Sequence, residues 1–315
     1  MRRLSPRVRA LTALFTLALA TRAPLVPAHA QAAGVCDAAS AALPARPAGA
    51  PDATRFVHDI AGLDDDAREA AIRAQLMAGN VPSFLRRLVP VHVQGANADV
   101  TLCVAPDYLA IGSDSDYLLV PMRLATALDV ADRYGFVLPT RKMVDAIYAQ
   151  SSIRLAPQPL PAGDTMRSTA YYWHHNELVQ RQRSAFGAVP AALTAGDKKD
   201  LVLTNRLWRN PDRVAIYGWH RTDGRAIQPL STVHGERYAD YSHGVRLVGR
   251  LAWVDGEPRP ITALLGDPRL AASLSDEGVI PRLSELIAQL EARGAAPRLA
   301  SRVTLPGFRL SATVP

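Results

Sequence analysis

Two Asp-Gly pairs constrain this chain more than any other feature. Asp223-Gly224 follows the apolar run from Val214 to Trp219, and Asp255-Gly256 follows the run from Val245 to Val254. An Asp-Gly step between apolar runs reads as the two-residue turn of a β-hairpin, because that turn needs positive φ at its central positions. The second half is thereby committed to antiparallel pairing, with strands expected over 201–205, 213–220 and 245–254.

The first half reads differently. Asp64, Asp65 and Asp66 suit the start of a helix running to Ala78, since acids complement the helix dipole there and Gly79-Asn80 stop it. Helices are also expected over 121–134, with Leu124, Leu128 and Ala131 on one face, over 141–150, and over 165–185. Two short β-rich runs, 88–94 and 99–105, fall between the first two. A last amphipathic helix is expected over 282–293, with Leu283, Leu286, Ile287 and Leu290 aligned. Helices early and hairpins late predict an α+β fold: an antiparallel sheet of late hairpins packed against helices from the first half.

Charge narrows the function classes. The formal net charge is +7, but residues 1–31 carry five arginines and no acid. Beyond them stand 31 basic against 29 acidic residues, which gives no support to a nucleic-acid partner. The same N-terminal stretch reads as an export signal: basic residues, an apolar run from Leu11 to Ala20, then Ala28-His29-Ala30 as a small-x-small cleavage pattern. Ten apolar residues fall well short of the ~20 that span a bilayer, so no stable membrane insertion is expected after cleavage.

This leads to residues 1–30 as a signal peptide, 31–54 as an Ala/Pro-rich flexible arm, and 55–315 as a single α+β domain with a sub-boundary near 157–163, at Pro157-Gln158-Pro159-Leu160-Pro161. The expected location is periplasmic or secreted. In an oxidising compartment the two cysteines, Cys36 and Cys103, are most simply one disulfide.

Seven histidines follow the leader, and three of them, His220, His234 and His243, fall in the hairpin region. Strand ends and loops on a rigid sheet are where catalytic groups are displayed. His220, His234, Asp240, Ser242 and His243 are the expected catalytic set, with a histidine as base, Asp240 orienting it and Ser242 as a possible nucleophile. The cofactor expectation is none or zinc; three imidazoles (His220, His234 and His243) with an open fourth position would suit zinc. Trp219, Tyr238 and Tyr241 are expected as walls for sugar rings, and Arg246 as part of a basic binding surface. His175 lies on the apolar stripe of its helix, either as a satisfied core histidine or as the floor of a cleft. In Gly196-Asp197-Lys198-Lys199-Asp200, Lys198 and Lys199 could hold a carboxylate or phosphate and an acid could serve as a base; the run also reads as a charged turn.

The segment Ser242-His243-Gly244-Val245-Arg246 resembles the Ser-His-Gly-Cys-x-Arg motif of L,D-transpeptidases, with His234-Gly235 as the upstream His-Gly. Val245 stands where that family has its nucleophilic cysteine, and the gap between the two histidines is shorter. The resemblance implies a cell-wall glycopeptide as substrate rather than the transpeptidase reaction. A broader resemblance, to exported bacterial proteins without an assigned activity, runs through 79–86, 138–145, 196–200 and 217–246. It implies one integrated domain.

The sequence holds no Gly-x-Ser-x-Gly elbow, no His-Glu-x-x-His, no P-loop and no Gly-x-Gly-x-x-Gly before a helix. The expected function is an exported hydrolase of a cell-envelope or environmental glycan or peptide using a His/Asp centre. The alternative is a non-enzymatic envelope protein that binds a glycan or partner. Either way, the expected partner is a polymeric or small-molecule component of the cell envelope.

Overall fold

The structure, a computed structural model, describes residues 36–37, 43–95, 97–187 and 191–295. The signal-peptide reading of residues 1–30 lies outside the described residues. Cys36 and Cys103 form a disulfide across a sequence separation of 67, with Cα atoms 5.4 Å apart. The bond fastens the start of the described chain to the core, where Cys36 is buried. Residues 43–54, within the segment read as a flexible arm, also lie on the body. Leu43 is buried, Arg46 donates to Asn80 Oδ1 at 2.8 Å, and Pro44 carbonyl accepts from Arg86 Nε at 2.7 Å.

Four of the helices begin at side-chain caps, from Asp52, Asp64, Thr140 and Ser168. Asp52 accepts from Arg55 N at the start of α1 (Ala53–Ile60), a helix that begins two residues before Arg55. Asp64 accepts from Asp66 N and Ala67 N at the start of α2 (Asp65–Met77), so the acidic triplet caps and charges one helix end. The early hairpin β1 (Val89–Gln94) and β2 (Asp99–Val104) follows, then the short pair β3 (Ala110–Gly112) and β4 (Tyr117–Leu119). Next come α3 (Leu124–Arg133), β5 (Phe136–Val137), α4 (Arg141–Gln150) and β6 (Ile153–Arg154).

The helix expected over 165–185 is divided. A 3-10 turn, Asp164–Arg167, precedes Ser168, whose hydroxyl caps Tyr171 N at 3.2 Å and starts α5 (Thr169–Ser184). A serine with extended backbone cannot continue a helix, but it satisfies the first free N–H groups of the next one.

The remaining elements are β7 (Thr194–Ala195), β8 (Lys199–Leu201), α6 (Arg206–Arg209), β9 (Ile216–His220), β10 (Ala226–Ser231), β11 (His243–Gly244), β12 (Val248–Val254), β13 (Glu257–Pro260), α7 (Ile261–Gly266), α8 (Ala271–Leu274) and α9 (Leu283–Ala295). Both Asp-Gly hairpins form, but only the second as a two-residue turn, with Val254 paired to Glu257. The first, from His220 to Ala226, closes at Arg221 N to Arg225 O around three residues, with positive φ at Gly224 and not at Asp223. At the second turn Asp255 and Gly256 both have positive φ, 51° and 91°, as a type I′ turn requires.

The mixed α+β class with antiparallel sheets is borne out. One sheet runs β1-β2-β12-β13 with β5 also on β12, so the early hairpin and the late one complete each other. The other runs β10-β9-β8-β11, and its β8–β11 ladder is parallel. The strand expected over 201–205 ends at Leu201, because Leu203 N turns to Pro139 O at 2.9 Å and Thr204 Oγ1 to Glu277. The loop of residues 157–161 is packed rather than free, since Leu160 N donates to Tyr241 Oη at 2.7 Å. Among the described residues no helix is long and apolar enough to cross a membrane.

Candidate functional site

The parallel ladder of the second sheet gathers the ionisable side chains. Its register pairs His243 with Lys199 and Gly244 with Asp200. Side chains paired across a ladder share a face, and successive residues alternate. Lys199 and His243 therefore stand on one face, and Lys198 and Asp200 stand with Gly244 on the other. The second face leaves Gly244 no room for a side chain. A Cβ there would lie 2.7 Å from Lys198 Cβ and 2.7 Å from Tyr108 Cδ1.

On the first face, His243 Nε2 lies 3.9 Å from Asp240 Oδ2, with His243 0% and Asp240 1% exposed. Ser242 donates to Asp240 Oδ1 twice, from its N–H at 2.8 Å and its hydroxyl at 2.5 Å. Tyr238 hydroxyl donates to Asp240 Oδ2 at 3.0 Å. The half-buried ring of Tyr238 meets His243 edge-on at 5.7 Å and stacks on half-buried His234 at 4.0 Å.

Burial pulls the His243 imidazole down to about 4, against the opposing pull of Asp240, so the ring is neutral at pH 7. Burial works to raise Asp240, but its neighbours hold it below the ordinary carboxylate range. A protonated His243 would be the strongest of those neighbours. Since burial keeps that ring neutral, we ascribe the ionised carboxylate to the Ser242 bonds and the Lys199 ammonium. Both ring nitrogens of His243 are buried without a hydrogen-bond partner. An orphaned polar group of this kind costs stability and calls for a functional explanation.

The opposite face is a buried charge network. Lys198 is 0% exposed; its ammonium donates to Tyr241 O at 2.6 Å and meets His175 Nδ1 at 3.2 Å. Burial lowers Lys198 to about 8 and His175 to about 2, so His175 is neutral and accepts through Nδ1. Tyr108 hydroxyl donates to Asp200 Oδ2 at 2.9 Å, and burial raises Asp200 to about 7. Arg246 is sealed over the Tyr108 ring, 4.1 Å from its centroid, donating to Ala105 O at 3.0 Å and Thr194 O at 2.6 Å. Beside it Arg183 pairs with Asp107. Asp197, with both carboxylate oxygens buried and unbonded, is raised to about 6 by burial and then by Asp107. Buried ion networks rarely repay their desolvation in stability, which marks this region as more than scaffold.

The expected three-histidine centre does not form. His243 and His234 meet through Tyr238, but His220 faces α4: its Nε2 lies 3.0 Å from Asp145 Oδ1, and its ring stacks on Tyr148 at 4.4 Å. The strand order explains the separation, because β8 lies between β9 and β11. Among the described residues no group of three or more His, Cys, Asp or Glu side chains is placed to hold a metal ion. Ser242 hydroxyl is committed to Asp240 instead of to an imidazole, so it lacks the base that a nucleophile needs. Trp219 and Tyr241, 6% and 2% exposed, pack inward and offer no open ring face to a sugar; only Tyr238 reaches the surface. Trp219 also holds a φ of 55°, a strained backbone for a bulky residue, which lays its indole 4.9 Å from Lys199 Nζ. Lys198 is interior, so the Gly196–Asp200 run is no solvated turn. Arg246 is sealed inside and cannot contribute to a basic surface.

Sequence reasoning missed Tyr108, Asp107, Arg183 and Asp145 as members of these clusters, and read the acids of the Gly196–Asp200 run as a base or a charged turn rather than as a buried network. One signal was available: acids and lysines packed into a run that leads directly into an apolar stretch, 201–203.

Residues 234–240 form the outer wall of the site, and they are latched from outside. Arg237 donates to Asp66 Oδ2 at 2.6 Å, Arg123 holds Asp66 Oδ1 at 2.6 Å, and Arg293 donates to Glu236 Oε2 at 3.0 Å. Glu236 and Arg237 of this segment also line a surface hollow with Glu69, Arg123, Arg213 and Arg293, and His243 is not part of its lining.

No protein-family model, no curated protein and no solved structure matches the chain.

Proposed function

We propose that the protein is an exported hydrolase of a cell-envelope or environmental glycan or peptide, with Asp240 and His243 as its acid–base pair. The observation that carries the reading is the wholly buried imidazole of His243, neutral, unbonded at both nitrogens, and 3.9 Å from an ionised carboxylate. As a base, the imidazole takes a proton from the attacking water while the water oxygen bonds to the substrate carbon. It then returns the proton to the leaving oxygen or nitrogen as the old bond breaks. Asp240 stabilises the imidazolium between those steps. Tyr238 and His234 cover the pair and exclude bulk water. The disulfide supports an extracytoplasmic location, where such a bond persists.

The test is turnover on a panel of cell-wall and polysaccharide substrates by wild type, His243→Ala and Asp240→Asn. The reading expects loss of at least ~100-fold in kcat for each variant, within the range general acid–base groups supply. Full activity in both variants sinks the site.

A second reading, a binding protein without turnover, is favoured by one observation. The pair is closed off, with the half-buried His234, Tyr238 and Lys199 around it. Binding without turnover in the wild type would select it.

A further inference from the structure

We infer that Lys199 is the anion-receiving group of this site and that the ligand it takes carries a carboxylate. The inference deepens the proposed function, since it rests on the same site. Three observations support it. The ladder register puts Lys199 on the same face as His243. Among the described residues its ammonium has no ion pair and no hydrogen bond; it rests over the Trp219 ring, 4.9 Å from the centroid. The lysine is half-buried, and burial lowers its affinity for the proton, against the opposing pull of Asp240.

An ammonium in water needs no partner. One held against an indole face, part-shielded and beside two neutral imidazoles, has lost hydration that protein acceptors do not replace. Its sister Lys198 shows the contrast, with a carbonyl and an imidazole both in reach. Asp240 does not fill the role, because its carboxylate is engaged by Ser242 and Tyr238. The strained φ of Trp219 is what places the indole under the ammonium. The backbone thus holds a cation at the rim, ready for an incoming anion.

The nature of the anion follows from the proposed chemistry. Both envelope peptides and acidic glycans carry carboxylates, and one ammonium suits one carboxylate as a point charge. The groups facing Lys199 are Asp240, His234, His243 and Trp219. Asp240 is anionic but makes no ion pair with the ammonium, so the ligand carboxylate meets a cation in direct contact with an indole face alone, beside neutral imidazoles.

Equilibrium binding at low salt tests this with two pairs of probes. One pair is soluble muropeptides and the same muropeptides with their carboxyls amidated. The other is oligogalacturonates and their methyl esters. Wild type is expected to bind the carboxylated member of one pair ~10-fold or more tighter than its neutral partner, in line with charge-assisted hydrogen bonds. Whichever pair shows the preference identifies a peptide-borne or a glycan-borne acid. Lys199→Met is expected to reduce the preference to about one, and Lys199→Arg to keep most of it, on this charge argument. Thermal unfolding of each variant confirms that the fold is retained.

Equal wild-type binding of acid and neutral forms overturns the inference. So does failure to bind either acid, or a preference that survives in Lys199→Met. Failure of the hydrolase reading looks different. A carboxylate preference without turnover leaves Lys199 in its role, and equal turnover of acid and neutral forms removes Lys199 while the hydrolase stands.

Discussion

His243 and Asp240 are sealed together, 3.9 Å from imidazole Nε2 to carboxylate Oδ2, in a pocket where neither imidazole nitrogen has a hydrogen bond. Burial holds the histidine near 4. Activity is therefore expected to fall on the acid side with an apparent pKa near 4 instead of near 6.5, as the base becomes protonated. A pH profile of kcat with any turned-over substrate reads this directly. An acid limb centred near 6.5 would assign the base elsewhere.

Asp200 predicts a stability trend of the opposite sign to that of a salt-bridged acid. Its folded pKa is raised from 3.8 to about 7, so between those values the native state binds the extra proton. Stability from this group is fully present below 3.8 and is lost as pH rises through 7. Asp200→Asn keeps an acceptor for Tyr108 hydroxyl and cannot ionise. It is expected to unfold at a higher temperature than wild type at pH 8, with the advantage vanishing toward pH 4. His243 and His175 act in the reverse direction, losing stability as pH falls below 6.5, so the comparison with wild type at each pH isolates Asp200.

Replacing Gly244 by Ala places a Cβ 2.7 Å from both Lys198 Cβ and the Tyr108 ring. Neither neighbour can swing away, because one is close to the backbone and the other is held by Arg246 and Asp200. The expected cost is about 1–3 kcal/mol by denaturant unfolding, the usual price of overpacking a core. The strand carrying His243 should shift with it, so kcat falls more than binding does.

Loss of the disulfide in Cys36→Ser/Cys103→Ser should destabilise the fold by about 4 kcal/mol in the chain-entropy model for a loop of this length. Denaturant unfolding of wild type with and without reductant gives the same difference. A shift below about 1 kcal/mol would mean that the Cys36 segment is held by other contacts.

Asp66→Ala removes the anchor of Arg237 and Arg123 on the wall over the site. Exposed ion pairs contribute about 1 kcal/mol or less, so the unfolding temperature should barely move. Amide exchange over 234–243 should accelerate instead, and high salt should reproduce that in wild type. Unchanged exchange in this segment would show that the latch carries no load.

The hairpins, most helices and the cysteine partnership were legible from local signals. Asp-Gly needs only its own φ angles, Asp64 caps a helix two and three residues away, and two cysteines in an oxidising compartment have one simple pairing. The same is true of the Asp240–Ser242–His243 turn, whose contacts lie within three residues. Tertiary structure alone decided that Lys198, Asp200, Tyr108 and Arg246 are interior, that His220 belongs with Asp145, and that Lys199 shares a face with His243. Those relations depend on which strand lies beside which. A parallel ladder between residues more than forty apart leaves no periodicity in the sequence, because neither the pairing nor its register is expressed in the neighbours of either strand.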